Sequence, residues 1–323
     1  MKKFDFHILG PLVALIALVI LGALLNSAFL APANITNVLA RSAFIGIIAV
    51  GMTFVITAGG LDLSVGSMAA FLAGITIIAM NAALPEIGEN WGTILIGMGV
   101  AILGGIIAGL VNGLLITQAR IEPFIVTLGT MGIFRSLVTW LADGGTLSLE
   151  YGLRTLYRPV YYGGIGWITW PIIVFAIIAV LGEWTMRHSR FGRHVEAIGS
   201  NDRVARYSAI DVNRVKLLTY LLLGLLVGLA TVLYVPRLGS ASGSTGVLWE
   251  LEAIAAVIIG GTALKGGRGR VWGTVIGVLI LSLIDNILNL ADLVSPYLNG
   301  AIQGVIIVLA VVLQREKRTA DER

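Results

Sequence analysis

Long apolar runs separated by short polar segments dominate the hydrophobic pattern of the chain. The run at residues 8–25 holds 18 positions without a charge, and a transmembrane helix needs about 20 mainly apolar residues. Because polar or Gly- and Pro-containing segments follow the runs, the pattern predicts an all-α, polytopic membrane helix bundle. The predicted spans are residues 8–25, 42–57, 63–85, 91–117, 123–141, 167–184, 217–234, 250–260, 271–284 and 294–313.

These runs amount to about ten transmembrane segments, although the run at 250–260 is short for a full crossing. An internal echo accompanies it: an apolar run, a Gly-Gly turn and a Gly-containing span occur at Gly59-Gly60 and again at Gly260-Gly261. Interrupted segments at corresponding positions of two halves are typical of transporters built from internal repeats. The echo therefore suggests an internal repeat with discontinuous helices.

Basic residues set the predicted orientation. Seven Lys and Arg residues lie at 187–216, the longest strongly polar stretch of the chain, and such residues accumulate in cytoplasmic loops. The sequence predicts a large cytoplasmic loop there, with a short helix at 195–207 that offers a docking surface; the alternative is a solvated connector. With the N-terminus inside, an even number of spans leaves the charged tail at 314–323 in the cytoplasm, and residues 1–323 form a single integral-membrane domain.

Composition agrees with a membrane protein and narrows its chemistry. The chain is 57% hydrophobic and 12% charged, whereas soluble domains carry about 25% charged residues. It has no cysteine, hence no disulfide or thiolate metal site, and none of its three histidines has a second ligand at metal spacing. Its net positive charge comes from basic residues in the loops and does not indicate nucleic-acid binding. The 41 glycines suit closely packed membrane helices.

Catalytic motifs are absent from the sequence. It contains no GxSxG, no HExxH and no paired carboxylate array. Residues 261–268 resemble a phosphate-binding loop but lack the Lys-Ser/Thr pair that holds phosphate and magnesium. We therefore predict a non-catalytic subunit without a cofactor. A transporter with no energy source of its own must obtain one from a partner, which returns attention to the helix at 195–207.

The stretch 59–66, GGLDLSVG, is unusual because it places a Gly-Gly turn and one carboxylate between two spans. Irregular backbone in a membrane is tolerated only where protein buries it or a cavity wets it. Two interpretations of Ser64 stay open: it caps the next helix, or it lines a pathway together with Asp62. Arg135 lies inside a span, at a cost of about 2.5–3.5 kcal/mol on insertion scales, so we expect it to snorkel or to face the bundle interior or a wet cavity.

Three stretches resemble the signatures of bacterial ABC importer permeases of the ribose/xylose/galactose class. GGLDLSVG at 59–66 resembles one signature and FGRHVEAIGSN at 191–201 resembles the coupling loop. AIAAVIIGGT at 253–262, followed by GGRG at 266–269, resembles the C-terminal signature. The three occur in the family's order, and the similarity covers nearly the whole chain.

This resemblance implies the permease subunit of an ATP-driven importer that moves a monosaccharide from periplasm to cytoplasm. It implies a multi-pass protein of the inner membrane, surrounded by lipid and paired with a second permease copy, identical or related. Its other partners would be an ABC ATPase subunit with two nucleotide sites and a periplasmic sugar-binding protein, with no nucleic acid. A ribose-like pentose, a hexose or a polyol would each fit as the substrate.

The resemblance also carries roles to positions of this chain. The loop departs from the general Glu-Ala-Ala pattern of importer permeases, having Glu-Ala-Ile-Gly at 196–199, which puts individual docking contacts in question. An ATPase-coupling role is implied for Gly192, Arg193, Glu196, Ala197, Gly199 and Asn201. The candidates for the translocation pathway or its gate are Gly59, Gly60, Asp62, Ser64, Gly260, Gly261 and Thr262.

Other functions remain open at this point. An ion-coupled secondary transporter would use Asp62 as the coupling carboxylate. A branched-chain amino acid permease of an ABC system is the alternative within the wider family, although the DLSVG signature favours sugars. A membrane-embedded enzyme is disfavoured because no catalytic cluster exists.

Overall fold

A computed structural model describes residues 6–291 together with 298, 301–302 and 304–305. Four short strands, β1 (Thr146–Ser148), β2 (Gly164–Ile165), β3 (Ile168–Thr169) and β4 (Ser240–Ser242), form two antiparallel pairs, β1 with β4 and β2 with β3. The helices are α1 (Phe6–Leu25), α2 (Pro32–Thr57), α3 (Val65–Ile87), α4 (Trp91–Thr117), α5 (Pro123–Leu141), α6 (Tyr151–Tyr157), α7 (Pro159–Tyr162), α8 (Trp170–His188), α9 (Arg190–Ser200), α10 (Asp202–Tyr207), α11 (Val212–Leu238), α12 (Trp249–Ile259) and α13 (Val271–Ala291).

Among the described residues, seven helices are long and apolar enough to cross a membrane: α2, α3, α4, α5, α8, α11 and α13. A shorter apolar stretch, Gly10–Leu25, lies within α1. The prediction of an all-α polytopic protein is confirmed. The count of about ten spans and the internal repeat stay predictions; the expected last span at 294–313 falls largely outside the described residues, and the tail at 314–323 falls outside them entirely.

Two helices are longer than their apolar runs. Helix α2 begins at Pro32 rather than at residue 42, since Pro is favoured in the first helical turn and no breaker follows it. Helix α13 continues through Asp285 and Asn286 instead of ending at 284. Two polar side chains in these added parts pair with each other. The Asn34 and Asn286 amides exchange hydrogen bonds of 3.0 and 2.9 Å.

Helix α2 forms the centre of the core. Its side chains from Ala43 to Thr57 are buried almost without interruption, with Ile47, Ile48 and Phe54 at most 2% exposed. Helices α8, α11, α12 and α13 pack around it. A helix that is apolar on all sides is buried, so the even hydrophobicity of this run explains its central place.

Helices α4 and α11 lie antiparallel in close contact, and glycines make the contact. A Cβ on Gly105 would clash with the carbonyl oxygen of Gly224, and a Cβ on Gly113 would lie 2.7 Å from Cδ1 of Leu217. The small residues let the two backbones approach as membrane helices often do. The antiparallel arrangement places the end of α4 beside the start of α11, so α5, which follows α4, runs away from the α8–α11 connection.

Candidate functional site

The polar stretch between α8 and α11 folds as two short helices, α9 and α10. Each starts with a side-chain cap. The Ser189 hydroxyl oxygen accepts from the backbone N–H of Gly192 at 3.0 Å, and the Asn201 side chain accepts from Arg203 N and Val204 N at 3.1 and 3.2 Å. Such caps satisfy N–H groups that a helix start leaves unpaired. The expected helical interior of the loop is therefore present, divided at Asn201.

An apolar cluster holds both short helices against the membrane helices. Val195 and Ile198 of α9 are buried with Ala205 of α10 and with Val212 at the start of α11. Phe191 stacks on Phe54 of α2, with ring centroids 5.9 Å apart. The segment is thus packed onto the bundle and is not a loose connector.

The six residues expected at the coupling surface divide into two sets. Gly192 and Gly199 face the permease itself, because a Cβ on Gly192 would clash with the carbonyl oxygen of Met186 and one on Gly199 with that of Thr57. The other four lie on the outer side, fully or partly exposed: Arg193, Glu196, Ala197 and Asn201.

Gly199 belongs to a contact of three backbones, which we call the glycine junction and define as Thr57, Gly59, Gly199, Gly266 and Gly267. The N–H of Gly267 donates to the carbonyl oxygen of Thr57 at 2.9 Å. A Cβ on Gly266 would lie 3.0 Å from Gly199 Cα, from Gly59 N and from Thr57 O. Gly59, Gly266 and Gly267 have φ of 80°, 84° and 88°, a region that favours glycine. The three family-like motifs therefore meet at one point.

The second Gly-Gly turn lies next to the junction but packs elsewhere. A Cβ on Gly260 would clash with backbone atoms of Gly273 in α13, and Gly261 has φ of 88°. The Thr262 side chain is fully buried, and its hydroxyl oxygen accepts from Arg270 N at 3.2 Å. These residues join α12 closely to α13.

Asp62 lies in a buried polar cluster. Its Oδ1 accepts from the Ser64 N–H at 2.8 Å and from the Ser64 hydroxyl at 2.6 Å, while Oδ2 accepts from Asn112 Nδ2 at 3.2 Å. Burial raises the pKa of the Asp62 carboxyl above its ordinary value, and the hydrogen bonds from Ser64 and Asn112 act in the opposite direction. The cap interpretation of Ser64 is wrong, because its hydroxyl donates to Asp62 and makes no cap bond.

Two partners of this cluster were missed by sequence reasoning. Asn112 is fully buried in the otherwise apolar α4, and this one amide was the available signal. The Tyr220 hydroxyl donates to the carbonyl oxygen of Leu61 at 3.1 Å, and a Cβ on Gly60 would lie 2.6 Å from that hydroxyl. Gly60 is therefore a packing position beneath Tyr220.

Arg135 faces the bundle rather than snorkelling. Its Nη1 donates to the carbonyl oxygen of Gly243 at 2.7 Å and also to that of Thr245. These bonds hold the segment after β4 against α5. The same segment reaches α3, where a Cβ on Gly66 would clash with the carbonyl oxygen of Gly246. Of the orientations expected for Arg135, the one towards the bundle is therefore present, with backbone carbonyls as its partners.

No group of three His, Cys, Asp or Glu side chains that could hold a metal ion occurs within the described ranges. The segment at this end of the bundle touches two interhelical loops through backbone atoms.

Comparison with known proteins agrees with this geometry. Residues 34–311 match the family model described as branched-chain amino acid transport system / permease component. The ribose import permease protein of Bacillus subtilis is 42% identical over 317 residues, covering 96% of this chain and 93% of the relative.

Two further relatives come from Escherichia coli. The ribose import permease protein of Escherichia coli strain K12 is 35% identical, covering 95% of this chain and 93% of its own length. The D-allose transport system permease protein of the same strain is 34% identical, covering 97% and 91%. With matches of this length and identity, the chain belongs to the ABC importer permease family that includes the ribose and allose permeases.

Proposed function

We propose that this chain is the membrane subunit through which an ATP-driven importer moves a monosaccharide from periplasm to cytoplasm. The 42% identity to a ribose import permease over 96% of the chain carries the proposal. Membership in the family makes the chain a multi-pass inner-membrane transport component that is itself not catalytic. A ribose-like pentose is the first candidate substrate. Relatives named for D-allose and xylose make a hexose or another pentose compatible as well, and a polyol remains a further candidate.

The partners follow from the same membership. An ATPase subunit and a periplasmic binding protein serve permeases of this kind. We extend this to an ATPase with two nucleotide sites, a second permease copy in the membrane, and N- and C-termini in the cytoplasm. The seven basic residues of segment 187–216 support a cytoplasmic position for α9 and α10.

Helix α10 provides the docking face for the ATPase in this proposal. Tyr207 is 91% exposed and Val204 is 57% exposed, one helical turn apart. Arg203 and Arg206 are exposed beside them. An aromatic side chain flanked by arginines is the composition of an interface hot spot. The complementary surface is a cleft with an apolar floor and an acidic rim.

Helix α9 then transmits the movement. Its outer residues Arg193, Glu196 and Ala197 lie towards the partner, whereas Gly199 contacts both Thr57 and Gly267. ATP-driven closure of the ATPase favours one arrangement of the bundle only to the extent that the two arrangements differ in affinity for it. The glycine junction is the point where that difference reaches the loops after α2 and α12.

Reconstitution tests the proposal. The permease, its ATPase and its binding protein are placed in proteoliposomes, and uptake of labelled D-ribose is measured with and without ATP. We expect ATP-dependent accumulation that a protonophore leaves intact. Accumulation by the permease alone, or uptake that a protonophore abolishes and ATP does not drive, would instead support an ion-coupled carrier using Asp62.

A second candidate function rests on the family model, whose description names branched-chain amino acids. L-leucine uptake in the same vesicles tests it. ATP-dependent transport of L-leucine without transport of D-ribose, D-allose or D-xylose would select the amino acid function over the sugar function.

A further inference from the structure

A surface hollow of about 410 Å³ lies at the far end of α5 from the α9–α10 segment. Its lining is chemically mixed: one basic and one acidic side chain, two hydroxyl side chains, an indole and a glycine. The lining residues are Arg135, Ser136, Thr139, Trp140, Asp143 and Gly144. Ligand sites for small molecules occupy roughly 300–1,000 Å³ and combine aromatic surface with a few placed polar groups.

We propose that this hollow is a contact site for a monosaccharide on its way through the permease. This rests on the proposed import of a sugar and adds the residues that touch it. A sugar ring offers one apolar C–H face and a rim of hydroxyls that both donate and accept. Trp140 is 74% exposed and offers a flat apolar surface on which the C–H face can stack. Arg135, Ser136 and Asp143 offer hydrogen-bond donors and acceptors for the sugar hydroxyls.

Internal hydrogen bonds hold Arg135 in place and leave other polar groups of the hollow unused. The Nη1 group of Arg135 donates to the carbonyl oxygens of Gly243 and Thr245. Its Nε and Nη2 groups donate to no other atom of the described residues, and a guanidinium carries five N–H donors. The Ser136 hydroxyl and the Asp143 carboxylate also have no hydrogen-bond partner within the described ranges. A solute can therefore bind them without displacing an internal bond.

The rim of the hollow has a fixed backbone. Helix α5 ends in a turn where Asp143 and Gly144 take φ of 49° and 73°. The N–H of Asp143 donates to Trp140 O at 3.0 Å, and that of Gly144 to Thr139 O at 2.9 Å. The carboxylate and the indole are thus presented by one closed turn, which is the preorganisation that binding favours.

Two small residues lie beyond the hollow, along α5 towards its other end. Gly132 and Gly129 follow Ser136 at helical spacing on the exposed side, and no atom lies within 4 Å of a Cβ built on either. The same side of α5 also exposes Ile125, Leu128 and Ile133, at 61%, 43% and 55%. The surface beyond the hollow is therefore mixed, with small and apolar side chains, and the polar contacts for a sugar are confined to the hollow.

Trp140 also fits another role, since tryptophans anchor span ends at the membrane surface. Trp91, at the start of α4, is a matched control because it is 47% exposed and lines no hollow with Arg135. The variants are Trp140→Ala, Trp140→Phe, Asp143→Asn and Trp91→Ala, each in the complete importer with ATPase and binding protein. Asn tolerates the positive φ at 143, so Asp143→Asn keeps the turn.

Three readouts test the site: D-ribose uptake, ATP hydrolysis, and the number of permease copies per complex by native mass measurement. We expect Trp140→Ala and Asp143→Asn to lower uptake about tenfold, the loss of one stacking or hydrogen-bonding contact. Trp140→Phe should restore most of it, because the ring remains. Hydrolysis and copy number should be unchanged in all variants, and Trp91→Ala should transport as the unsubstituted importer does.

The proposed site is overturned if Trp140→Ala takes up D-ribose normally, or if Trp91→Ala loses as much uptake as Trp140→Ala. It is also overturned if Trp140→Ala lowers the number of permease copies per complex, because the indole would then be a contact between permease copies. Absence of D-ribose uptake by the unsubstituted importer would count against the proposed function itself, and L-leucine uptake then identifies the alternative.

Discussion

The backbone N–H of Gly267 donates a 2.9 Å hydrogen bond to the carbonyl oxygen of Thr57. This bond joins the loop after α12 to the end of α2. Gly199, at the end of α9, packs against both of these backbones. A displacement of α9 therefore acts on two interhelical loops at once, without any intervening side chain.

Gly199→Ala is predicted to separate transport from hydrolysis. The added methyl group would clash with Thr57 O and with Gly267 N, and neither backbone atom can rotate away. Overpacking of this kind costs about 1–3 kcal/mol, which the complex relieves by shifting α9 from the junction. We expect D-ribose transported per ATP hydrolysed to fall several-fold in proteoliposomes, with the permease still inserted and bound to its ATPase.

Gly99→Ala is the control for this experiment. It adds the same methyl group at a helical glycine where no atom lies within 4 Å of the new Cβ, so transport per ATP should stay unchanged. Normal coupling in Gly199→Ala would remove the junction from the transmission path.

The sequence identified the three motifs of the junction but not their meeting. Positions 57, 199 and 267 are far apart along the chain, and close backbone approach leaves no mark beyond glycine itself, which this chain contains 41 times. The same limit applies to Asn34 and Asn286. Each is a polar residue beside an apolar run, and neither position alone shows that their amides satisfy each other through reciprocal hydrogen bonds.

Other features followed directly from local chemistry. The Gly-Gly turn with its carboxylate indicated irregular backbone between two spans. This is confirmed, because residues 58–64 lie outside α2 and α3, and protein buries Asp62 among them. The role of Ser64 could not be read locally, because a hydroxyl at a helix start serves equally as a cap or as a donor to a nearby carboxylate. In the structure the hydroxyl donates to Asp62, and the pathway interpretation of Ser64 stays a prediction.

Tyr207→Ala is predicted to weaken binding of the ATPase subunit. A tyrosine that is 91% exposed at the tip of a packed segment gains contact area only through a partner. Removing an interface hot spot costs about 2 kcal/mol or more, which corresponds to roughly a 30-fold loss of affinity. Titration of the ATPase onto the permease in lipid nanodiscs measures the dissociation constant of each variant.

Tyr151, 84% exposed at the start of α6, provides the matched control. It belongs to the connection between α5 and α8, at the end of the bundle away from α10. Tyr151→Ala should bind the ATPase with unchanged affinity. An equal loss in both variants, or none in Tyr207→Ala, would contradict docking through α10.

Asp62→Asn and Asp62→Ala are predicted to differ sharply. Alanine leaves the Ser64 hydroxyl and N–H without their acceptor, and the Asn112 amide keeps only its 3.0 Å bond to Ser64 Oγ. Each buried unsatisfied group costs about 1–3 kcal/mol. Asparagine keeps one acceptor oxygen, and Asn112 Oδ1, which has no partner among the described residues, can accept from the new amide after rotation. Thermal unfolding in detergent should show a large decrease of the unfolding midpoint for Asp62→Ala and a small decrease for Asp62→Asn.

Transport by Asp62→Asn distinguishes two functions of the carboxylate. In an ATP-driven permease Asp62 organises the loop, so the variant should keep most ATP-dependent uptake. An ion-coupled carrier would lose uptake completely, because the amide cannot take up and release a proton. Glu86→Gln, at an exposed position near the end of α3, is the control for loss of one charge.

Gly109→Ala is predicted to destabilise the bundle through the contact of α4 with α11. The new Cβ would clash with the carbonyl oxygen of Tyr220 and lie 3.0 Å from Gly224 Cα, so the helices must separate, at about 1–3 kcal/mol. Gly99→Ala, on the same helix but in open space, removes glycine's helix penalty of about 1 kcal/mol and should unfold no earlier than the unsubstituted protein. Thermal unfolding in one detergent measures both, and equal midpoints would show that this contact tolerates a wider separation than its glycines indicate.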